Sequence, residues 1–183
     1  MRRIGVLASG SGTILQALLE ADLPIVVVVV DRRCAAIGRA ERAGVAAELV
    51  ERTSFGAGFD RLAYTHHVVD VLERHEVGLV AMAGFMTVLE KPIFDAYPDR
   101  IVNTHPALLP AFRGAHAVEE TLAAGVKLTG CTVHLATVEV DDGPILAQEA
   151  VPVVEGDTVE TLHERIKEVE RHLYPRVLRE LIE

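Results

Sequence analysis

The sequence predicts an α/β fold of the Rossmann-like, doubly wound type, with a mainly parallel sheet, an antiparallel C-terminal strand pair and a long C-terminal helix. Short, continuous apolar runs alternate with helical stretches over the first half of the chain, which is typical of buried parallel strands joined by right-handed crossovers. Two later apolar runs have no helix between them, which favours an antiparallel pair. An amphipathic segment then completes the sequence.

The parallel part of the sheet is predicted from five apolar runs. Strands are expected at residues 3–8, 24–30, 46–50, 78–84 and 101–105. The second run is the clearest, because its valines and isoleucine favour a buried strand. Helices are expected between the strands, where apolar residues recur at helical spacing, at residues 12–21, 36–44, 58–76 and 91–97.

The last third of the chain predicts the strand pair and the final helix. Apolar and polar residues alternate over residues 128–137, which indicates a strand with one wetter, more polar face. Residues 144–153 are its expected neighbouring strand. From Thr158 onward apolar residues repeat at intervals of four, three, four and four, which predicts an amphipathic helix docked on the core. No linker or repeat interrupts the pattern, so we expect one domain over residues 1–183.

Composition restricts the classes of function. The 183 residues are 50% hydrophobic and 25% charged with a net charge of −9, and no basic cluster exceeds two arginines, so no electrostatic footprint for nucleic acid is expected. The two cysteines lie far apart and no HExxH pattern occurs, which predicts neither a disulfide nor a metal site. Without a membrane-spanning run or a signal-like start, we expect a cytoplasmic monomer or homodimer.

The first candidate site is the glycine-rich segment 8–16, ASGSGTILQ, between the first strand and its helix. Ligands of doubly wound folds bind at the carboxyl ends of the strands, and backbone N–H groups at a helix N-terminus suit a phosphate. Leu15 stands where the dinucleotide pattern requires a third glycine. A tight turn with a Ser or Thr N-cap would need the same residues, so the segment alone leaves both interpretations open.

The second candidate site is the segment 82–89, MAGFMTVL, at the exit of the fourth strand. One interpretation is a helix cap followed by core residues. The other is an apolar slot for a flat heterocycle, because ligand pockets are mostly hydrophobic and use backbone groups for orientation.

The third candidate site combines Asn103, His105 and the acidic pair Asp141 and Asp142. Asn103 and His105 are two residues apart on a predicted strand, so they point to the same side. A carboxylate that reached the imidazole would orient it and favour its charged form, and an imidazolium beside an amide N–H stabilises an oxyanion. No serine elbow or activated cysteine is present, which favours direct attack on a carbonyl by the amine of a bound substrate.

Five segments together resemble a known family. SGSGTILQAL, AGFMTVL, NTHPALLPAFRGAH, TGCTVHLATVEVDDGPILAQ and VERHLYP have the order and spacing of the glycinamide ribonucleotide formyltransferases, the folate-dependent transformylases of purine synthesis. The resemblance runs from Ile4 to about Val177. Its most specific part is Asn-x-His-Pro-x-Leu-Leu-Pro together with Asp-x-Gly-Pro.

The resemblance implies a catalytic trio of Asn103, His105 and Asp141. His105 would act as general acid, Asn103 would donate to the oxyanion, and Asp141 would keep His105 charged. Asp141 is preferred over Asp142 because the family aspartate stands seven residues beyond the histidine that matches His134 and opens the x-Gly-Pro turn. His134 itself, inside a predicted strand, is expected to be a structural histidine.

The resemblance also implies the binding residues. The ribonucleotide phosphate and ribose would be bound by Gly12, Thr13, Ile14 and Glu170. The folate would be contacted by Arg61, Met86, Thr87, Val88, Leu89, Asn103, Thr137, Val138, Glu139, Val140 and Asp141. The family usually has asparagine at position 14 and often a basic residue at position 87, so Ile14 and Thr87 are departures that touch binding rather than catalysis.

The implied activity is transfer of the formyl group of 10-formyltetrahydrofolate to the amine of 5-phosphoribosylglycinamide, without a metal. An aminoacyl-tRNA formyltransferase shares the core, but it is expected to carry an RNA-binding domain and a basic surface. Formyltetrahydrofolate deformylase is expected to carry an N-terminal regulatory domain before the first strand. A non-catalytic folate- or nucleotide-binding module is expected to lack at least one member of the trio.

Overall fold

A computed structural model describes residues 1–54 and 56–183, and this part of the chain forms one seven-stranded sheet in the order β3-β2-β1-β4-β5-β6-β7. The strands are β1 Ile4–Ala8, β2 Ile25–Val30, β3 Ala46–Leu49, β4 Leu79–Met82, β5 Ile101–His105, β6 Leu128–Leu135 and β7 Ile145–Pro152. Strands β1 to β5 are parallel, whereas β6 is antiparallel to both β5 and β7. The predicted fold class is confirmed.

Helices lie on both faces of the sheet, and its central strands β1, β2 and β4 are apolar and largely buried. They are α1 Thr13–Glu20, α2 Ala35–Arg42, α3 Arg61–Arg74, α4 Lys91–Ala96, α5 Ala117–Ala124 and α6 Val159–Ile182. Helices α1, α2, α5 and α6 share one buried cluster, and α3 and α4 share the other. Alternate valines of β2 enter the two clusters, Val28 and Val30 one and Val27 and Val29 the other.

Strand β6 differs from the prediction of one wetter face. Residues 129–134 are all buried, because α6 packs on one side and the segment after β5 covers the other. Thr132 shows the second contact: its hydroxyl donates to the Ala107 carbonyl over 2.6 Å and accepts from the Leu109 N–H over 3.0 Å. A segment without regular structure thus shields threonines that the sequence pattern assigned to solvent.

Other boundaries shift for local reasons. Helix α3 begins at Arg61 rather than residue 58, since Asp60 caps it by accepting from the Ala63 N–H over 2.8 Å.

Helix α5, at Ala117–Ala124, was not predicted. Residues 83–90 form neither helix nor strand, so the interpretation of this segment as a helix cap is wrong. Helix α6 begins after Thr158, as expected, with reciprocal capping by Thr161.

Candidate active site

The three strand exits singled out in the sequence meet around one cavity of about 530 Å³. It lies at the carboxyl ends of β1, β4 and β5 and is closed on one side by α6. The predicted site residues that line it are Gly12, Thr13, Ile14, Met86, Thr87, Val88, Leu89, Asn103, His105, Thr137, Val138, Val140, Asp141 and Glu170. Two predicted folate contacts, Arg61 and Glu139, are not part of this lining.

At one end of the cavity the N-terminus of α1 is uncapped by any side chain. Gly12, not Ser or Thr, is the N-cap, with a left-handed φ of 69°; a Cβ there would lie 3.1 Å from the Ala36 Cα. Arg39 holds the turn by donating from Nε to the Ser11 carbonyl over 2.8 Å. The first-turn N–H groups therefore face the cavity as a preformed anion site.

Ile14 occupies the position where the family usually has asparagine. Its side chain is 8% exposed and packs in the core cluster beneath α1. Position 14 therefore offers the cavity its backbone N–H, while its side chain stabilises the helix that carries it.

Glu170 closes the same end of the cavity from α6. It is 5% exposed, and its Oε1 accepts from the Thr104 hydroxyl over 2.8 Å. Burial raises the pKa of the Glu170 carboxyl above its ordinary value, against the opposing effects of Thr104, Lys167 and Arg171. The Glu170 carboxyl is therefore a buried part of the cavity lining with the Thr104 hydroxyl as a hydrogen-bond partner.

His163 and Lys167 also line the cavity, and the sequence analysis missed both. They precede Glu170 by seven and three residues, which places all three on one face of α6. Burial lowers the pKa of the His163 imidazole. The signal was present in the sequence as polar residues at helical spacing beside the apolar stripe.

At the other end of the cavity His105 and Asp141 form a buried pair. The His105 Nδ1 lies 3.2 Å from the Asp141 Oδ2, and both side chains are about 5% exposed. The Gly114 N–H donates to the same oxygen over 2.9 Å. Asp142 instead pairs with Arg113 at the surface. The geometry therefore places Asp141, and not Asp142, against the histidine.

Both nitrogens of His105 face acceptors. Opposite Asp141, its Nε2 lies 2.7 Å from the carbonyl oxygen of Phe112, a residue with a left-handed φ of 52°. A ring protonated at both nitrogens satisfies both acceptors, whereas a neutral ring satisfies one. The protein therefore offers an acceptor to each ring nitrogen of His105.

His134 orients the amide of Asn103. The two residues are direct partners across β5 and β6, and the Asn103 Nδ2 lies 3.2 Å from the His134 Nε2. The other ring nitrogen, Nδ1, donates to the Leu135 carbonyl over 2.9 Å, and Nε2 also lies 3.5 Å from the Asp141 Oδ1. His134 lines the cavity itself, where it contacts two predicted site residues, Asn103 and Asp141.

The surroundings of Asp141 favour its ionised form. Burial opposes its ionisation, but the contacts with His134, the Gly114 N–H and the His105 ring outweigh burial and hold the pKa of the Asp141 carboxyl below its ordinary value. Asp141 also has a left-handed φ of 54°, which turns the chain back toward His105 after β6. A fixed negative charge next to the imidazole is the result.

The wall between the two ends is apolar. Met86 and Val88 are 58% and 46% exposed, and Leu89 is buried. Arg61 lies beyond this wall at the start of α3, with its Nη1 3.8 Å from the Glu90 Oε1. The geometry suits a flat, largely apolar ligand lying along residues 86–89, with Arg61 outside the cavity mouth.

Within residues 1–54 and 56–183, no three or more histidine, cysteine, aspartate or glutamate side chains cluster as metal ligands would. Over the same ranges, none of the helices combines the length and the apolar character needed to cross a membrane.

The fold and the site define an α/β protein with a cavity at the carboxyl edge of a doubly wound sheet, lined by an amide, an imidazole and a carboxylate. Residues 2–178 match the formyl transferase family, and the chain belongs to that family. The family resemblance inferred from the five segments is thereby confirmed.

Two similar proteins cover most of the chain. The phosphoribosylglycinamide formyltransferase of Mycobacterium tuberculosis is 47% identical over 176 residues, which are 93% of this chain and 80% of that protein. The crystal structure of glycinamide ribonucleotide transformylase 1 from Symbiobacterium toebii superposes with a TM-score of 0.92 at 46% identity, covering 98% of this chain and 86% of that one.

A third relative is much longer. The trifunctional purine biosynthetic protein adenosine-3 of Gallus gallus is 43% identical over 183 residues, which are 96% of this chain. The chain spans only 18% of that relative's length. The match therefore concerns one part of a protein with several activities.

Proposed function

We propose that the chain transfers the formyl group of 10-formyltetrahydrofolate to the amine of 5-phosphoribosylglycinamide in de novo purine biosynthesis. It would do so as a single domain over residues 1–183, in the cytoplasm, as a monomer or homodimer. The observation that carries the proposal is that Asn103, His105 and Asp141 line the same cavity as an uncapped helix N-terminus and an apolar wall. The similar proteins named above support the choice of substrates.

The cavity fits both substrates in size and polarity. Its volume of about 530 Å³ lies in the range of small-molecule sites. We propose that the N–H groups of Thr13 and Ile14, beside Gly12, bind the phosphate, and that Glu170 accepts from the ribose hydroxyls. The folate heterocycle would lie along Met86–Leu89 and the segment 137–141, with Arg61 reaching the exposed end of the folate.

The proposed chemistry is direct attack by the substrate amine on the formyl carbon. A bond forms between the amine nitrogen and that carbon, and the bond to the folate nitrogen breaks. Asn103 donates its free N–H to the oxyanion, and the charged His105 stabilises the same oxygen. Asp141 holds the His105 charge in place. One proton leaves the amine, and one reaches the departing nitrogen with His105 as general acid.

His105 as general acid requires one change from the geometry described. Both ring protons have protein acceptors, Asp141 and the Phe112 carbonyl. To protonate a substrate, His105 must share or exchange one of these hydrogen bonds, and the Phe112 contact is the one without opposite charge. Because the oxyanion donors are an amide and an imidazolium, the proposed mechanism includes no metal.

A formyl-transfer assay tests the proposal. Purified protein is mixed with 10-formyltetrahydrofolate, with and without 5-phosphoribosylglycinamide, and the deformylated folate is measured by absorbance. We expect folate product only with the ribonucleotide present, together with formylated ribonucleotide by mass spectrometry. Equal folate product without the ribonucleotide would indicate a deformylase, and no product under either condition would indicate a binding module.

A further inference from the structure

A buried carboxylate outside the cavity has no assigned role in this mechanism. Asp31 directly follows β2 and is fully buried. A buried charge is costly unless it is paired and hydrogen-bonded, so its partners show what it stabilises. Asp31 does not line the cavity, and the sequence analysis did not identify it.

Asp31 accepts hydrogen bonds from side chains on two elements. Arg32 forms a two-pronged pair, with Nε 2.9 Å from Oδ1 and Nη2 3.1 Å from Oδ2. The Thr87 hydroxyl donates to Oδ2 over 2.8 Å, and Thr87 is 1% exposed. Burial opposes ionisation of Asp31, but hydrogen bonds from Arg32, Thr87 and Ser9 outweigh it and lower the pKa of the carboxyl. Asp31 is therefore a charged acceptor for a threonine of the cavity wall.

Ser9 and Thr87 connect Asp31 to both the β1 exit and the wall segment 83–90. The Ser9 hydroxyl accepts from the Met86 N–H over 2.8 Å, and the Ser9 N–H donates to the Gly84 carbonyl over 3.2 Å. Because residues 83–90 form neither helix nor strand, a small number of such hydrogen bonds sets the position of this segment. The Asp31 carboxylate lies where they converge.

We propose that Asp31 is a positioning residue for the folate: through Thr87 and Ser9 it fixes the backbone of Met86–Leu89 and so the apolar wall of the cavity. This inference rests on the proposed function, which assigns the wall to the folate. It also explains the departure at position 87. The hydroxyl of Thr87 points inward to a charged acceptor that Arg32 already pairs with, so position 87 serves the wall from within the protein.

The test uses the full chain and two variants. Thr87→Val keeps the shape of the side chain and removes the hydroxyl, whereas Asp31→Asn removes the charge. Hydrogen–deuterium exchange of peptides covering residues 83–90 should become faster in both variants, and Thr87→Ser should keep the slow exchange of the wild type. The matched control is Asp95→Asn, an exposed carboxylate on α4 paired with Lys91, which should leave this exchange unchanged.

Kinetics separate positioning from general destabilisation. Thr87→Val should raise the KM for 10-formyltetrahydrofolate about tenfold, the effect expected when a buried acceptor loses a donor. The KM for the ribonucleotide should stay within about twofold of the wild-type value, as should both KM values of Asp95→Asn.

Two outcomes would overturn the inference: unchanged exchange at residues 83–90, or equal rises in both KM values. If Asp31→Asn does not fold, Thr87→Val alone decides. If the wild-type protein transfers no formyl group, the proposed function fails. The exchange comparison then still shows whether Asp31 holds the wall, so the two failures are distinguishable.

Discussion

The two ends of the cavity differ in the polar groups that line them: backbone N–H groups at one end and side chains at the other. At the proposed phosphate end the donors are backbone N–H groups at the start of α1, presented by a glycine turn. At the proposed catalytic end Asn103, His105 and Asp141 present side chains, and each has at least one hydrogen-bonding partner within the protein. Backbone donors persist when a side chain changes, whereas a side-chain network loses several contacts with one substitution. The two ends should therefore differ sharply in their tolerance of mutation.

The largest effect is expected for His105→Ala. Loss of the charged ring removes the general acid and one oxyanion donor, so kcat should fall about 10³-fold, with a change of no more than a few-fold in the KM for the ribonucleotide. Steady-state formyl-transfer assays with both substrates varied would measure this. His116→Ala, an exposed histidine before α5, is the control. Near-normal turnover of His105→Ala would contradict the assigned mechanism.

Asp141→Asn should lower kcat about 10²-fold, because an amide accepts from the Gly114 N–H but cannot stabilise the His105 charge. The pKa of Asp141 is lowered by folding, so the stabilisation it provides is present above about pH 3.8 and is lost as pH falls through the folded-state value. Urea unfolding of the wild type and the variant should thus differ at pH 7 and converge in acid. A constant difference at every pH would refute this assignment.

Glu170→Gln should weaken ribonucleotide binding and at the same time raise thermal stability. The KM for the ribonucleotide should rise about tenfold as the charged acceptor is lost. Folding raises the pKa of Glu170, so the stability due to its bound proton is present below about pH 4.5 and is lost as pH rises. The glutamine variant avoids that loss, and its Tm at pH 8 should exceed the wild-type Tm by about 2–4 °C.

Differential scanning calorimetry at pH 8 and pH 5 measures the Tm effect of Glu170→Gln. The gain should be smaller at pH 5. Glu168→Gln, exposed on the same helix, is the matched control and should change neither Tm nor KM. A Tm gain that is equal at both pH values would show that the Glu170 charge is not its cause.

The smallest functional effect is expected for Ile14→Asn, which restores the usual family residue. The phosphate donors are backbone groups, so the KM for the ribonucleotide should change less than about threefold. Placing an amide among core residues should cost about 1–3 kcal/mol of unfolding free energy. Comparison with Ile14→Ala separates lost packing from the added amide. A tenfold lower KM for the ribonucleotide in Ile14→Asn would show that the side chain at position 14 contributes to binding.

The sequence predicted most reliably what depends on local spacing. The alternation that placed Asn103 and His105 on one side of β5 needed only the period of a strand, and the valine run of β2 needed only its composition. The mainly parallel sheet and the antiparallel pair followed from which strands have a helix between them. These features are properties of short segments, and tertiary contacts preserved them.

What the sequence could not predict depends on contacts between distant segments. The role of His134 requires the β5–β6 register, which sets it opposite Asn103. The Phe112 carbonyl reaches His105 only through the path of an irregular loop, and Asp31 meets Thr87 across 56 positions of sequence. The burial of β6 depends on the same irregular loop. Periodicity carries no information about such pairings.

The cavity is lined by residues from Gly10 to Glu170, almost the whole length of the chain. Its lining combines residues that follow β1, β4 and β5 with residues of β6 and α6, so the site exists only once these distant segments have packed together. Ligand binding is then linked to global unfolding rather than to the opening of one segment. The substrates themselves should therefore act as folding ligands, protecting the entire molecule against proteolysis and heat in proportion to their concentration.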